Sequence, residues 1–225
     1  MTGFVATLGP VPDHASAAPR GRHAPPLEVR QDQQRRRLFA AAAAVFSRVG
    51  YGEATAEAIA REAGMSKATF YEHFDNKEDC IVSLFDTAIE VILGAMRAAG
   101  ERSMDAVPAE RIRVSAEAFL GALEQFPDEA QTLLVEIVGA GPRAMARRDR
   151  ALDAVAQYMD ELNRRDHERG AAPRFASPHD AFAIAGAVVE LASRQIRTGR
   201  PENISELEPV VERLAMGLLL SDETA

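Results

Sequence analysis

The segment TAEAIAREAGMSKATFYEHF, residues 55–74, constrains this chain more than any other stretch. It holds two helix-sized apolar patterns separated by one glycine, and neither is long enough to be stable alone. Such short helices persist when they cross tightly and are covered on one side. The crossing needs a small residue at the contact, supplied by Ala60, and a turn residue free to take positive φ, supplied by Gly64. Met65 and Phe70 then become the buried anchors, with Thr55 and Ser66 as N-cap residues. The other side of the second helix carries Lys67, Ala68, Thr69, Tyr71 and His73. That division is the pattern of a helix-turn-helix suited to a DNA major groove.

The flanking sequence is helical as well. From Gln31 onward, Leu38, Phe39, Ala42, Val45, Phe46 and Val49 recur at helical spacings, predicting a first helix ended by a left-handed Gly50. Asp75-Asn76-Lys77-Glu78 predicts a capping box that opens a long fourth helix running towards Gly100. Pro108, Pro142 and Ser177-Pro178 read as later helix starts, Ser205 as the last, and Gly139, Gly170 and Gly199 as stops. No stretch alternates with period two for long, so the expected fold class is all-α. Residues 1–30 hold five of the twelve prolines and read as a disordered N-terminal tail whose Arg20, Arg22 and Arg30 are either solubilising or near DNA. Residues 31–75 form the expected DNA-binding domain, and residues 76–225 a helical-bundle domain.

Composition narrows the function classes. Net charge is −8, which argues against nucleic acid until its distribution is considered. Residues 1–77 carry ten Lys and Arg against eight Asp and Glu, whereas residues 78–225 carry 16 against 26. A near-neutral end on an acidic body suits a protein that meets phosphate at that end. Both lysines of the chain, Lys67 and Lys77, lie there. No apolar run is long enough to span a bilayer, no secretory signal is expected at the N-terminus, and a single cysteine gives no disulfide framework. A cytoplasmic protein with no membrane partner is expected.

The exposed set has specific chemistry available. Lys67 and Lys77 are point charges for phosphates, and Lys67 at a helix start opposes the helix dipole, which makes it the strongest single candidate. Tyr71 and His73 can reach phosphate oxygens, although Tyr71 could equally pack on the first helix and His73 could cap the short one. Thr69 and Ala68 are short enough for base edges or a thymine methyl. Thr55 and Ser66 could face phosphate from helix N-termini or act purely as caps.

Residues 46–85, FSRVGYGEATAEAIAREAGMSKATFYEHFDNKEDCIVSLF, resemble the N-terminal domain of the TetR/AcrR family of transcriptional regulators. The resemblance rests on Gly50-Tyr51, Thr55, Ile59-Ala60, Ala63 to Lys67, Thr69 to Tyr71, His73-Phe74 and Lys77-Glu78, with departures at Ala54 and Ala56. It implies a homodimer whose three N-terminal helices read a double-stranded operator and whose body binds a small-molecule effector. Ala185 to Leu191, with Gly199 and Ser205 to Leu207, resembles the dimerising helices of such proteins. This implies a four-helix bundle built on Gly186, Ala187, Val188, Leu191, Val211, Leu214 and Leu218. The dimer would place two reading helices roughly 34–36 Å apart. The implied mechanism is repression released by the effector through tilting of the fourth helix. An activator or an effector-independent binder would use the same head.

Candidate effector contacts are Met96, Phe119, Leu123, Met145, Tyr158 and Phe182, a set whose helical spacing suits a core as well. Glu136 and Glu190 lie among apolar residues and either face a cationic effector, pair with an arginine such as Arg194, or point outward. Cys80 is a buried hydrophobe or a redox sensor. Asp166-His167-Glu168 and His179-Asp180 are metal-like in composition, but consecutive helical residues diverge, so no metal site is expected. Neither a cofactor nor enzyme activity is expected, since a helical-bundle enzyme would need paired Glu-x-x-His ligands or another reactive set.

Overall fold

The computed structural model describes residues 26–220, and Arg20, Arg22 and the rest of residues 1–25 lie outside them. The described residues are helical, without strands. The elements are α1 (Leu27–Glu53), α2 (Ala56–Glu62), α3 (Lys67–His73), α4 (Lys77–Arg102), α5 (Pro108–Gln125), α6 (Pro127–Leu134), a 3-10 turn (Glu136–Gly139), α7 (Pro142–Glu168), α8 (Asp180–Thr198), a second 3-10 turn (Ile204–Leu207) and α9 (Glu208–Leu220).

Helix α1 begins at Leu27, four residues ahead of the apolar periodicity. Residues 27–33 are exposed, and an exposed helical turn leaves no hydrophobic signal to read. At Gly50 φ is 78° and ψ 156°, a positive-φ kink and not the expected left-handed cap, and one more turn follows through Glu53. Thr55 and Ser66 cap α2 and α3, their hydroxyls accepting from the N–H groups of Ala58 and Thr69. Gly64 takes φ +65° in the turn, where Arg37 donates to the Ala63 carbonyl at 2.7 Å. Leu38, Phe46, Ile59 and Phe70 are fully buried, and Phe74 sits 5.4 Å from Phe70 and 5.6 Å from Phe39, ring centre to ring centre.

In the body α4 packs on α5 and α7, α7 on α8, and α5 on α9. Three starts differ from expectation. Asn76 caps α4 by accepting from Asp79 N–H at 2.9 Å, so the partner is Asp79 and not Glu78. Helix α8 starts at Asp180, because Ser177 and Asp180 instead close a turn around Pro178. Asn203 and Glu206 cap the second 3-10 turn reciprocally, the role expected of Ser205. Helix α1 also packs on α6, a contact between head and body additional to the covalent passage through α4.

Candidate nucleic-acid interface and cavity

Helix α3 buries Phe70 and presents Lys67, Ala68 and Tyr71 to solvent, with Thr69 half-buried between them. The Tyr71 ring meets Phe70 edge-on at 5.5 Å, yet the residue stays 50% exposed, so packing and an outward hydroxyl coexist. Lys67 lies 3.6 Å from Glu57, with both side chains largely exposed. Exposed pairs of this kind contribute about 0–1 kcal/mol, so the ammonium is free to swing to a phosphate. Thr69 and Ser66 share a hydroxyl–hydroxyl contact of 2.9 Å, and Thr55 is exposed at the start of α2. These residues form one surface.

Lys77 belongs elsewhere. Its ammonium donates to the carbonyls of Tyr51, Gly52 and Ala54 at 2.8–3.0 Å and lies 4.6 Å from the centre of the Tyr51 ring. All three protons are committed to carbonyls at the end of α1 and its C-cap, which corrects its expected role as a phosphate ligand. His73 is half-buried, with Nε2 3.3 Å from Gln34 Oε1 on α1. Burial, and secondarily Arg35, lowers its pKa, so it ties α3 to α1 in its neutral form at neutral pH. Ala54 is buried and gives its carbonyl to Lys77, while Ala56 packs against the same core.

The body encloses an apolar cavity of about 170 Å³. Met96, Phe119, Leu123 and Tyr158 line it. Met145 does not; it lies about one turn nearer the head than Arg148, the first lining residue of α7. Phe182 is 43% exposed on the outer side of α8, whereas Val211, expected at the dimer surface, is buried and lines the cavity together with Val188. The two face opposite to expectation because Ile184, Ala185 and Val188 set the inward face of α8, and Phe182 shares the outward one with Gly186. Gly186, Ala187, Leu191, Leu214 and Leu218 are half-buried.

Sequence reading missed two features. Glu136 accepts from the Tyr51 backbone N–H at 2.7 Å and from Gln131 at 2.9 Å, latching the body to α1 one residue past its kink. Its partner is therefore a backbone amide and not a cationic ligand. Arg111 and Asp166 form an ion pair at 5–6% exposure, with Arg169 as a second partner of Asp166 at 2.6 Å. Asp166 is thus engaged, Glu168 pairs with Arg164, and Glu190 pairs with Arg197, not Arg194. Burial pushes the Cys80 thiol far above its usual pKa, which removes the reactive thiolate that a sensor requires. Among the described residues no cluster of His, Cys, Asp or Glu could hold a metal ion, and no helix is long and apolar enough to cross a membrane.

Comparison with known proteins fits this geometry. The profile of the family described as bacterial regulatory proteins, tetR family, matches residues 38–84. The HTH-type transcriptional activator FasR of Mycolicibacterium smegmatis is 26% identical over 136 residues, 60% of this chain and 61% of that protein, which is less than two thirds of its length. The fatty acid degradation regulator FadR from Bacillus halodurans aligns with a TM-score of 0.71 and 21% identity over 81% of this chain and 94% of that one. FadR from Bacillus subtilis in complex with stearoyl-CoA aligns at 0.68 and 19% identity over 80% and 96%. At these identities the two structures speak for the fold.

Proposed function

We propose that this chain, whose residues 38–84 match the profile of the tetR family of bacterial regulatory proteins, is a homodimeric transcriptional repressor that leaves its operator when a long-chain acyl ligand fills the body. The observation that carries the ligand reading is the cavity, whose wall is almost wholly aliphatic and aromatic between α4 and α9. Stearoyl-CoA in the B. subtilis FadR complex is a ligand of the matching chemistry. The activator FasR among the relatives favours a second reading, in which the same ligand changes the sign of transcription and not the chemistry of binding.

Dimerisation uses the outer sides of α8 and α9, where exposed Phe182 and Leu220 accompany the small Gly186. DNA contact uses Lys67 and Tyr71 with Ala68 and Thr69 between them. The test is a salt titration on operator fragments selected from bound genomic DNA. Each phosphate contact contributes about 0.9 to the slope of log K against log salt, so Lys67→Ala lowers the slope of a dimer by about 2. Lys77→Ala leaves the slope unchanged and lowers the melting temperature, because carbonyls of α1 lose their donor. An unchanged slope in Lys67→Ala rules out that lysine as a phosphate contact.

The route from cavity to DNA passes through α6. Leu133 and Leu134 line the cavity, α6 packs on α1, and Glu136 immediately beyond holds the Tyr51 amide. A ligand that shifts α6 shifts α1 against α4, so the fourth helix is not the sole connection. Coupling between two sites commonly amounts to about 1–3 kcal/mol, or about 5–150-fold in affinity. Glu136→Ala is expected to bring that factor close to unity while ligand affinity stays as it was. Undiminished coupling in this variant would remove the latch from the route.

A further inference from the structure

Three charged side chains reach the cavity wall: Arg111, Asp166 and Arg148. The first two neutralise each other at one end. Arg111 also donates to the carbonyls of Met104 and Ala106, and Asp166 also accepts from Arg169, so both are already engaged in charge-assisted contacts. Arg148 stands at the other end of the same helix, 18 residues earlier, or about 27 Å along α7 at 1.5 Å per residue. Its neighbours on that end of α7 are satisfied by acids of α4, Arg143 by Asp79 at 2.9 Å and Arg147 by Asp86 at 3.6 Å. Arg148 is half-buried, and no ion pair or hydrogen bond engages it among the described residues.

Accepting the cavity as an acyl site, we propose that its ligand is a single-chain anionic amphiphile whose anionic group pairs with Arg148. A neutral apolar occupant would cover a cation half withdrawn from water and give it no counter-charge, at a desolvation cost. An anion there gains a charge-assisted, potentially bidentate contact. At the far end Arg111 already has its counter-charge in Asp166, whereas Arg148 has none, so the head is drawn to Arg148 and the tail points towards the pair. A bilayer core of about 30 Å is two acyl chains thick, so one lipid-length chain extends about 15 Å. The span of α7 from Arg148 to Asp166 is therefore longer than such a chain, and the cavity of about 170 Å³ must widen to take one in full. The carboxylate of a free fatty acid and the phosphates of an acyl-CoA share the anionic chemistry. They differ in how far the charge stands from the chain.

The test uses the full chain and three probes of one tail length: stearate, stearoyl-CoA and stearyl alcohol, each titrated calorimetrically below its aggregation limit. A hydrogen bond to a charged group contributes about 1.5–3 kcal/mol, which corresponds to about 10–150-fold. At least one anionic probe is expected to bind the wild-type chain tighter than the alcohol by about that factor. Arg148→Gln is expected to abolish the difference while alcohol affinity stays constant, and Arg148→Lys to restore part of it. The probe that loses affinity identifies the source of the anion. Equal loss for alcohol and anion would make Arg148 a packing residue and overturn the proposal, as would wild-type affinities in Arg148→Gln. Failure of the wild-type chain to bind any of the three would overturn the acyl reading and the anchor together.

Discussion

Phe70→Ala abolishes operator binding and leaves ligand binding by the body intact: this is the expected result for the residue on which the reading head depends. Phe70 is fully buried, with Phe74 and Tyr71 both against its ring. Emptying such a site removes transfer energy and leaves a void, at a cost of about 3–5 kcal/mol. Whole domains are stable by only about 5–15 kcal/mol. The loss falls on two seven-residue helices whose order depends on that contact. DNA binding by fluorescence anisotropy, alongside calorimetry with an acyl ligand, separates the two ends of the molecule. Operator affinity within about tenfold of wild type, a change of 1.4 kcal/mol, would mean that α3 is held by something other than its core.

Asp166→Ala has an effect of similar size by another route. Removing one partner of a buried ion pair leaves the other charge uncompensated, which costs about 3–5 kcal/mol. Arg111 is 5% exposed, and its two carbonyl acceptors carry no net charge. For a chain of this length the melting temperature falls on the order of 10 °C. The double substitution Arg111→Leu with Asp166→Leu removes both charges and should recover most of the loss. If the single variant melts with the wild type, water reaches Arg111 and the cavity is open at that end. If the double variant is as unstable as the single, the cost arises from packing.

The reading head was legible in the sequence because its determinants are local. Thr55, Gly64 and Ser66 act on residues within four positions of themselves, and Phe70 and Phe74 mark the buried side by simple helical spacing. What escaped depends on distant partners. Lys77 looks like a free cation until its acceptors, 23–26 residues earlier, come into place. Glu136 meets Tyr51 across 85 residues, and Arg111 meets Asp166 across 55. The reversed facing of Phe182 and Val211 has a different origin. Both sit on apolar helices where a shift of one or two positions turns a side chain from the cavity to the outside, and size alone does not set that phase. The start at Pro178 was misplaced because Ser-Pro chemistry also closes turns, which is what it does here.

Whether a ligand in the body controls the reading head is decided by operator affinity measured on one wild-type preparation with and without saturating stearoyl-CoA, across a range of salt. Specific binding is expected to weaken linearly in log–log salt, with a ligand-bound affinity lower by about 5–150-fold at every salt concentration. A chain that binds stearoyl-CoA yet holds its operator with the same affinity in both states would contradict that control.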